Sequence, residues 1–229
     1  MAAEVLYALA HPLSLLILLA SFVAGITLHG WLQCVVANRV GEPGPRAEQR
    51  LRPDPRRHLD PFGCVAAAIS GLGWTRPVEV SRRRPGALAG VLLVGPFLNL
   101  LLGVLALVGL RLGFGIGVAD GGAAVLQRGL ALSAGDLGPG VLLLVGLSQL
   151  YLGVLSLVPL PPLDGGRLLF ALGPRSPGWQ KAEYQLVERN IGVAVLLALL
   201  LIPLGGPLPL LPTLLDTVLR PLVRVITGG

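Results

Sequence analysis

The sequence predicts an all-α polytopic membrane protein: a bundle of about four main transmembrane helices with a re-entrant element and a short extended cytoplasmic segment. Three observations predict it. Of 229 residues, 53% are hydrophobic and only 13% are charged, about half the charged fraction of a soluble domain; the mean hydropathy is +0.76. The 18 Lys/Arg and 12 Asp/Glu leave four gaps without any charge, 5–38, 85–110, 137–163 and 190–215. Each exceeds the roughly 20 residues with which a helix crosses about 30 Å of hydrocarbon. The positive charges between the gaps are unevenly placed, as they are where they orient a membrane protein. A soluble enzyme, a disordered chain and a disulfide-stapled secreted chain all fit these figures poorly.

The first span is expected over 12–37, and its end carries the polar cluster His29-Gly30-Trp31-Leu32-Gln33. The loop after it is rich in Pro and Arg (Gly41 to Arg46, then Arg50 to Arg57), which predicts turns and short extended pieces. An uncharged run at 61–75 is too short for a crossing and predicts a re-entrant or interfacial segment shielded by protein. Arg76-Pro77-Val78-Glu79-Val80 alternates like a short strand. The second span is expected at 86–110, the third at 139–162 and the fourth at 191–212. Between the second and third lies a Gly-rich outer loop with a short helix at 122–133. The tail, 213–229, has Leu214, Leu215, Val218, Leu219, Leu222 and Val223 at helical spacing and predicts an interfacial helix. No internal repeat or soluble domain is evident, so 1–229 reads as one membrane domain.

Ten Lys/Arg lie from Arg39 to Arg84 and four more at Arg167, Arg175, Lys181 and Arg189; between the second and third spans there are only Arg111 and Arg128. The positive-inside rule makes the loop 39–85 cytoplasmic and leaves the N-terminus outside. The net charge of +6 then orients the protein and attracts anionic lipid; nucleic acid is not expected as a partner. The first apolar stretch lacks a basic n-region and is too long for a cleaved signal peptide. Cys34 and Cys64 read as small buried residues, and Trp31 and Trp74 as interfacial anchors.

Polar groups inside a membrane are costly and therefore candidates for function. They are His29 and Gln33, four apart on one helix face, Asn99 in the second span, Ser156 in the third, and Asp164 at its end. Asp164 follows Pro159-Leu160-Pro161-Pro162-Leu163, which cannot hold regular helix and is expected to be extended. It precedes Gly165-Gly166, where the chain can turn tightly. His29 and Asp164 both fall at the same ends of their spans and could meet.

Several segments then carry a resemblance: Gly41-Glu42-Pro43, Arg50-Leu51-Arg52-Pro53-Asp54-Pro55, His58-Leu59-Asp60-Pro61-Phe62-Gly63, Gly73-Trp74-Thr75-Arg76-Pro77-Val78, Gly95-Pro96-Phe97-Leu98-Asn99 and Leu157 to Gly165. In this order, over about residues 15–172, the chain resembles the site-2 proteases, intramembrane zinc metalloproteases, and their short bacterial and archaeal branch. That family's first span carries His-Glu-x-x-His, two zinc ligands one turn apart with a Glu as general base. Here Gly30 stands for the Glu and Gln33 for the second His, and Ser156 stands for the family's Asn in the third span. Catalytic zinc takes three protein ligands plus water, and His29 with Asp164 supplies two.

The resemblance therefore implies a pseudoprotease in a bacterial plasma membrane, with vestigial ligand positions, no catalytic residue and no cofactor. Its groove, lined by His29, Gln33, Asn99, Ser156, Pro159, Pro161, Pro162 and Asp164, would hold another integral membrane protein. The chain would act as a binding, scaffold or assembly subunit. Asp164 could alternatively be kept for the fold, accepting from the Gly165-Gly166 backbone. The competing reading is an active zinc metalloprotease in which His58 joins His29 and Asp164 as a ligand. A small transporter is a third reading, weakened by the lack of a charge at the middle of any span.

Overall fold

The computed structural model describes residues 11–80, 85–117, 137–174, 176–203 and 209–228; the helix expected at 122–133 lies outside them. Among the described residues the chain is helical with no strand. Three helices are long and apolar enough to cross a membrane, or four if a bent pair counts as one span. They are α1 (Pro12–Arg39), α5 (Pro85–Phe114) and α6 (Leu137–Ser156). Pro12 opens α1 at its first turn, where a missing N–H costs nothing. Its buried residues Gly25, Ile26, His29, Gly30, Gln33 and Ala37 recur at three- and four-residue spacing, so the polar cluster faces the bundle.

Helices α5 and α6 run antiparallel and pack through glycines. A Cβ at Gly103 would lie 2.7 Å from Leu150, one at Gly146 2.8 Å from Leu107, and one at Gly153 2.7 Å from Leu100. Close backbone approach at small residues is how membrane helices gain packing energy without a hydrophobic drive.

Between α1 and α5 the Pro/Arg-rich loop folds into short helices, α2 (Gly44–Ala47) and α3 (Pro55–His58), before α4 (Pro61–Ser70). The expected extended pieces are thus helical turns. Two Asp-Pro steps start α3 and α4: Asp54 accepts from the Arg56 N–H at 3.1 Å and Asp60 from the Gly63 N–H at 2.8 Å. Each is an N-cap with proline at the first helical position. α4 buries Gly63, Ala66 and Ser70 and exposes Phe62, Val65 and Ile69. Its ten residues reach about 15 Å, half a crossing.

The strand expected at 76–80 is absent. An isolated antiparallel bridge, Leu59 to Thr75, forms instead, because arginine side chains rather than a second strand take the carbonyls that follow. Arg50, 2% exposed, donates to Pro77 O at 2.9 Å and Arg76 O at 2.8 Å, and Arg167 donates to Val78 O.

The third span ends at Ser156, not 162. Residues 157–163 form tight turns, with Leu160 N–H donating to Val158 O and Leu163 N–H to Leu160 O, rather than the expected extended run. Then come α7 (Asp164–Leu172) and α8 (Pro177–Glu183), which passes into a wide π turn over Tyr184–Glu188.

The fourth span, expected as one helix at 191–212, is broken. Helix α9 (Ile191–Leu201) stops at Ile202, whose φ of −95° and ψ of 126° are the extended values imposed on a residue before proline. The α8–π segment and α9 meet at a 68° bend. The tail is α10 (Leu210–Thr227), which packs Leu211, Leu215, Leu219 and Val223 into the same apolar cluster as Leu107, Leu110, Leu147, Leu150 and Leu196.

Candidate functional site

His29 and Asp164, 135 residues apart, meet. His29 Nε2 lies 2.8 Å from Asp164 Oδ2, and the two residues are 0% and 4% exposed. A carboxylate oxygen accepts, so Nε2 is the donor; Nδ1 has no hydrogen-bond partner. Asp164 opens α7 and bonds α1, not the turn glycines assigned to it from sequence. Gly165 and Gly166 lie within α7 and are glycine for lack of room: a Cβ would run into Leu157 O at the first and into the Leu160 carbonyl carbon at the second. Gly95 serves His29 in the same way. A Cβ there would collide with the Cδ2 and Nε2 atoms of the ring, so α5 passes directly over the imidazole.

Gln33 is committed elsewhere. Pro96, inside α5, has no N–H to give the carbonyl four residues back, which is Leu92 O. Gln33 Nε2 donates to that oxygen at 3.3 Å. A side chain of the first span thus repairs the backbone of the second, as buried breaks in membrane helices require. Gln33 Oε1 remains without a partner.

Gly30 faces the loop. A Cβ at this position would lie 2.6 Å from Thr75 Oγ1 and 2.9 Å from His58 Nδ1. His58 is 0% exposed and donates from Nε2 to Arg52 O at 3.0 Å, while Thr75 donates to His58 O at 2.9 Å. Burial pushes the His58 pKa down, with Arg50 and Arg57 adding to the effect, against the opposing pull of the Arg52 carbonyl and Asp54. The loop is therefore seated on the motif helix at residue 30.

Asn99, 0% exposed, has no partner for either amide atom. Ser156 bonds Leu152 O of its own helix at 2.8 Å. The Pro161–Pro162 bond is cis. Trp74 is no interfacial anchor, being 2% exposed; Trp31 Nε1 donates to Leu51 O at 3.0 Å, tying the loop to α1.

Among the described residues no three His, Cys, Asp or Glu side chains stand close enough to share a metal ion. His58 lies at Gly30, not beside the His29–Asp164 pair as a third ligand. Among the described residues, His29 and Asp164 supply two of the three protein ligands that a catalytic zinc site needs. A cavity of about 420 Å³ lies elsewhere, bounded by Phe170, Trp179 and Tyr184, and contains none of these residues.

No family model matches the chain and no solved structure does. A protein of Bacillus subtilis (strain 168) named "Putative zinc metalloprotease YwhC" is 33% identical over 218 residues, 92% of this chain and 93% of that protein. The chain belongs to its family. The match covers nearly all of both chains. It agrees with the site-2 protease resemblance read from the loop and span motifs.

Sequence reasoning missed several members of the polar interior of this metalloprotease homologue. Gln149 (2% exposed) donates to Ser21 O at 2.8 Å, and Ser21 and Ser148 hydroxyls are 2.5 Å apart, joining α1 to α6. Gln149 stands in an uncharged run and was legible as a buried amide. Arg50 reads from sequence as a topology charge and part of a loop motif, not as a buried donor. The orphaned Leu92 carbonyl could have been found by counting four residues back from Pro96.

Proposed function

We propose that this member of the metalloprotease family does not hydrolyse peptides and instead holds a segment of another integral membrane protein, as a binding, scaffold or assembly subunit. The observation that supports this reading best is that the motif positions are already spent within the fold. His29 is bonded to Asp164, Gln33 to the carbonyl that Pro96 leaves free, and position 30 has no carboxylate and no space for one beside Thr75 and His58. A general base must reach the water it deprotonates; glycine cannot.

The remaining polar atoms favour binding. Asn99 offers one buried donor and one acceptor without protein partners, the pair that an extended main chain takes in strand addition. The Pro159 to Pro162 turn, in this reading, keeps α6 from continuing over a partner groove bordered by Ser156 and Asp164. In this reading the arginine-rich loop 39–85 faces the cytoplasm of a bacterial plasma membrane, near anionic lipid, and the N-terminus faces out.

The test is co-purification from native membranes of the chain and its Pro161→Ala/Pro162→Ala variant, which lets α6 extend across the groove. The partner is expected to be lost from the variant. The same proteins recovered with both would exclude groove binding.

A second reading keeps zinc chemistry, with His29, His58 and Asp164 as ligands. His58 Nδ1 is buried without a partner, which favours it, although the loop would have to shift to bring that nitrogen to the His29–Asp164 pair. Elemental analysis separates the two. The first reading expects no stoichiometric zinc in purified protein; about one zinc per chain, lost on His58→Ala, would establish the second.

A further inference from the structure

The C-terminal helix α10 carries a charged side at a depth where its neighbours are apolar. Two bonds fix its direction. Asp216 Oδ1 accepts from the Tyr151 hydroxyl of α6 at 2.9 Å, and Ile226 O accepts from Arg111 of α5 at 3.3 Å. The α5–α6 register sets Leu100 against Gly153 and Gly103 against Leu150, so Tyr151 is level with residues 101–102 of α5. Arg111 is about nine residues further along, or about 14 Å. From Asp216 to Ile226 is ten residues, about 15 Å of helix. The two lengths agree with α10 running beside α5 and nearly parallel to it. It follows the spans instead of lying across their ends.

Its three sides then differ in what they meet. Leu211, Leu215, Leu219 and Val223 face the bundle, and Leu214, Val218, Leu222 and Val225 are exposed and apolar, as lipid requires. The third side holds Thr213, Thr217, Arg220 and Arg224, all exposed, with Arg224 one turn nearer the end of α5. Arg220 is level with about residue 105 of α5, inside the charge-free run 85–110, where the outer surface of α5 is Leu101 and Leu105. Its side chain is 50% exposed and bonds Asp216 at 2.7 Å. It thus points back along the helix, away from the nearer end of α5, and does not snorkel outward. The Thr213 and Thr217 hydroxyls donate to Pro209 O and Thr213 O of their own helix. They leave a low, small-residue surface that a second helix can approach closely.

We propose that the Thr213–Thr217–Arg220 side of α10 is a docking face within the bilayer for a transmembrane helix of another protein that carries an Asp or Glu at the depth of Arg220. An arginine inside the hydrocarbon turns to a protein partner or a water-filled cavity. One bond to Asp216 uses part of a five-donor guanidinium that is built to fork onto a carboxylate. A second copy fits worse. Face to face it sets Arg220 against Arg220, while both Asp216 carboxylates are already taken by Tyr151 and Arg220. This face is separate from the groove at His29 and does not depend on it.

The test is site-specific photocross-linking of the full chain in the membranes of the organism that makes it, with the probe at Thr217 and, as the lipid-facing control, at Val218. The expected result is a discrete adduct from Thr217 alone, joined to an apolar transmembrane segment containing Asp or Glu. Arg220→Leu should lower that adduct roughly thirtyfold or more, as loss of one member of a buried charge pair does, and Arg220→Lys should retain it. Neutralising the partner's carboxylate should mimic Arg220→Leu. Adducts with lipid alone, an adduct with the chain itself, or equal loss with Arg220→Lys would overturn the proposal. So would labelling of Thr217→Cys by a membrane-impermeant thiol reagent at the rate of a soluble control, which would place this side in water. The Pro161→Ala/Pro162→Ala variant should leave the Thr217 adduct unchanged, so the groove reading and this one fail separately.

Discussion

Replacing Gln33 with Leu probes the repair of α5 by α1. The substitution keeps the volume close and removes the donor that reaches Leu92 O at 3.3 Å. A buried carbonyl left unpaired costs about 1–3 kcal/mol, and hydrocarbon has no water to replace the donor. Two features reduce the cost. The bond is long, and the substitution also removes Gln33 Oε1, itself a buried atom without a partner. A loss of about 1–2 kcal/mol is therefore expected. Pro96→Ala supplies an N–H that bonds Leu92 O within α5, so in that background Gln33→Leu should cost close to nothing. The four proteins of this cycle would be unfolded in mixed micelles by titrating a denaturing detergent. A coupling energy of about 1 kcal/mol or more between positions 33 and 96 is expected, well above the scatter for independent sites. An equal cost of Gln33→Leu with proline or alanine at 96 would refute the assignment and leave Gln33 free for another role.

Three further outcomes follow from the same geometry. Gly95→Ala should destabilise by about 1–3 kcal/mol despite alanine's higher helix propensity, because its Cβ falls on an imidazole nitrogen pinned by Asp164; the detergent midpoint of the variant measures it. Seating of the loop on α1 should weaken in acid. Burial holds the folded His58 pKa below its ordinary value of 6.5, so its contribution is complete above about pH 6.5 and declines as pH falls, when the unfolded loop takes up a proton that the buried ring resists. Hydrogen exchange at Arg76 N–H, which bonds His58 O at 2.8 Å, should quicken at about pH 5.5 relative to about 7.5 after correction for intrinsic rates, and His58→Asn should abolish the difference. Gly30→Glu combined with Gln33→His should not cleave a membrane peptide, since the new carboxylate meets Thr75 and His58; chelator-sensitive cleavage by that variant would show that the loop gives way.

The sequence alone determined the membrane class, the all-helical character and the places where α1, α5 and α6 begin, because lipid tolerates only long uncharged helical runs and proline and charge mark their edges. It also placed His29 and Asp164 at compatible depths. Tertiary structure decided the rest. A charge-free run records what hydrocarbon accepts and not where a helix stops, so the third span ends at Ser156 and the fourth breaks before Pro203. Alternation at 76–80 suggested a strand, but a strand needs a partner, and Arg50 and Arg167 took its carbonyls first. Gln33 looked like a lost ligand and proved to be the donor for a carbonyl 59 residues away. Gly30 looked like a lost base and proved to be the seat of His58 and Thr75. A polar residue's chemistry is written in its side chain, whereas its commitments depend on which distant backbone atoms are left unpaired beside it, and only packing settles that.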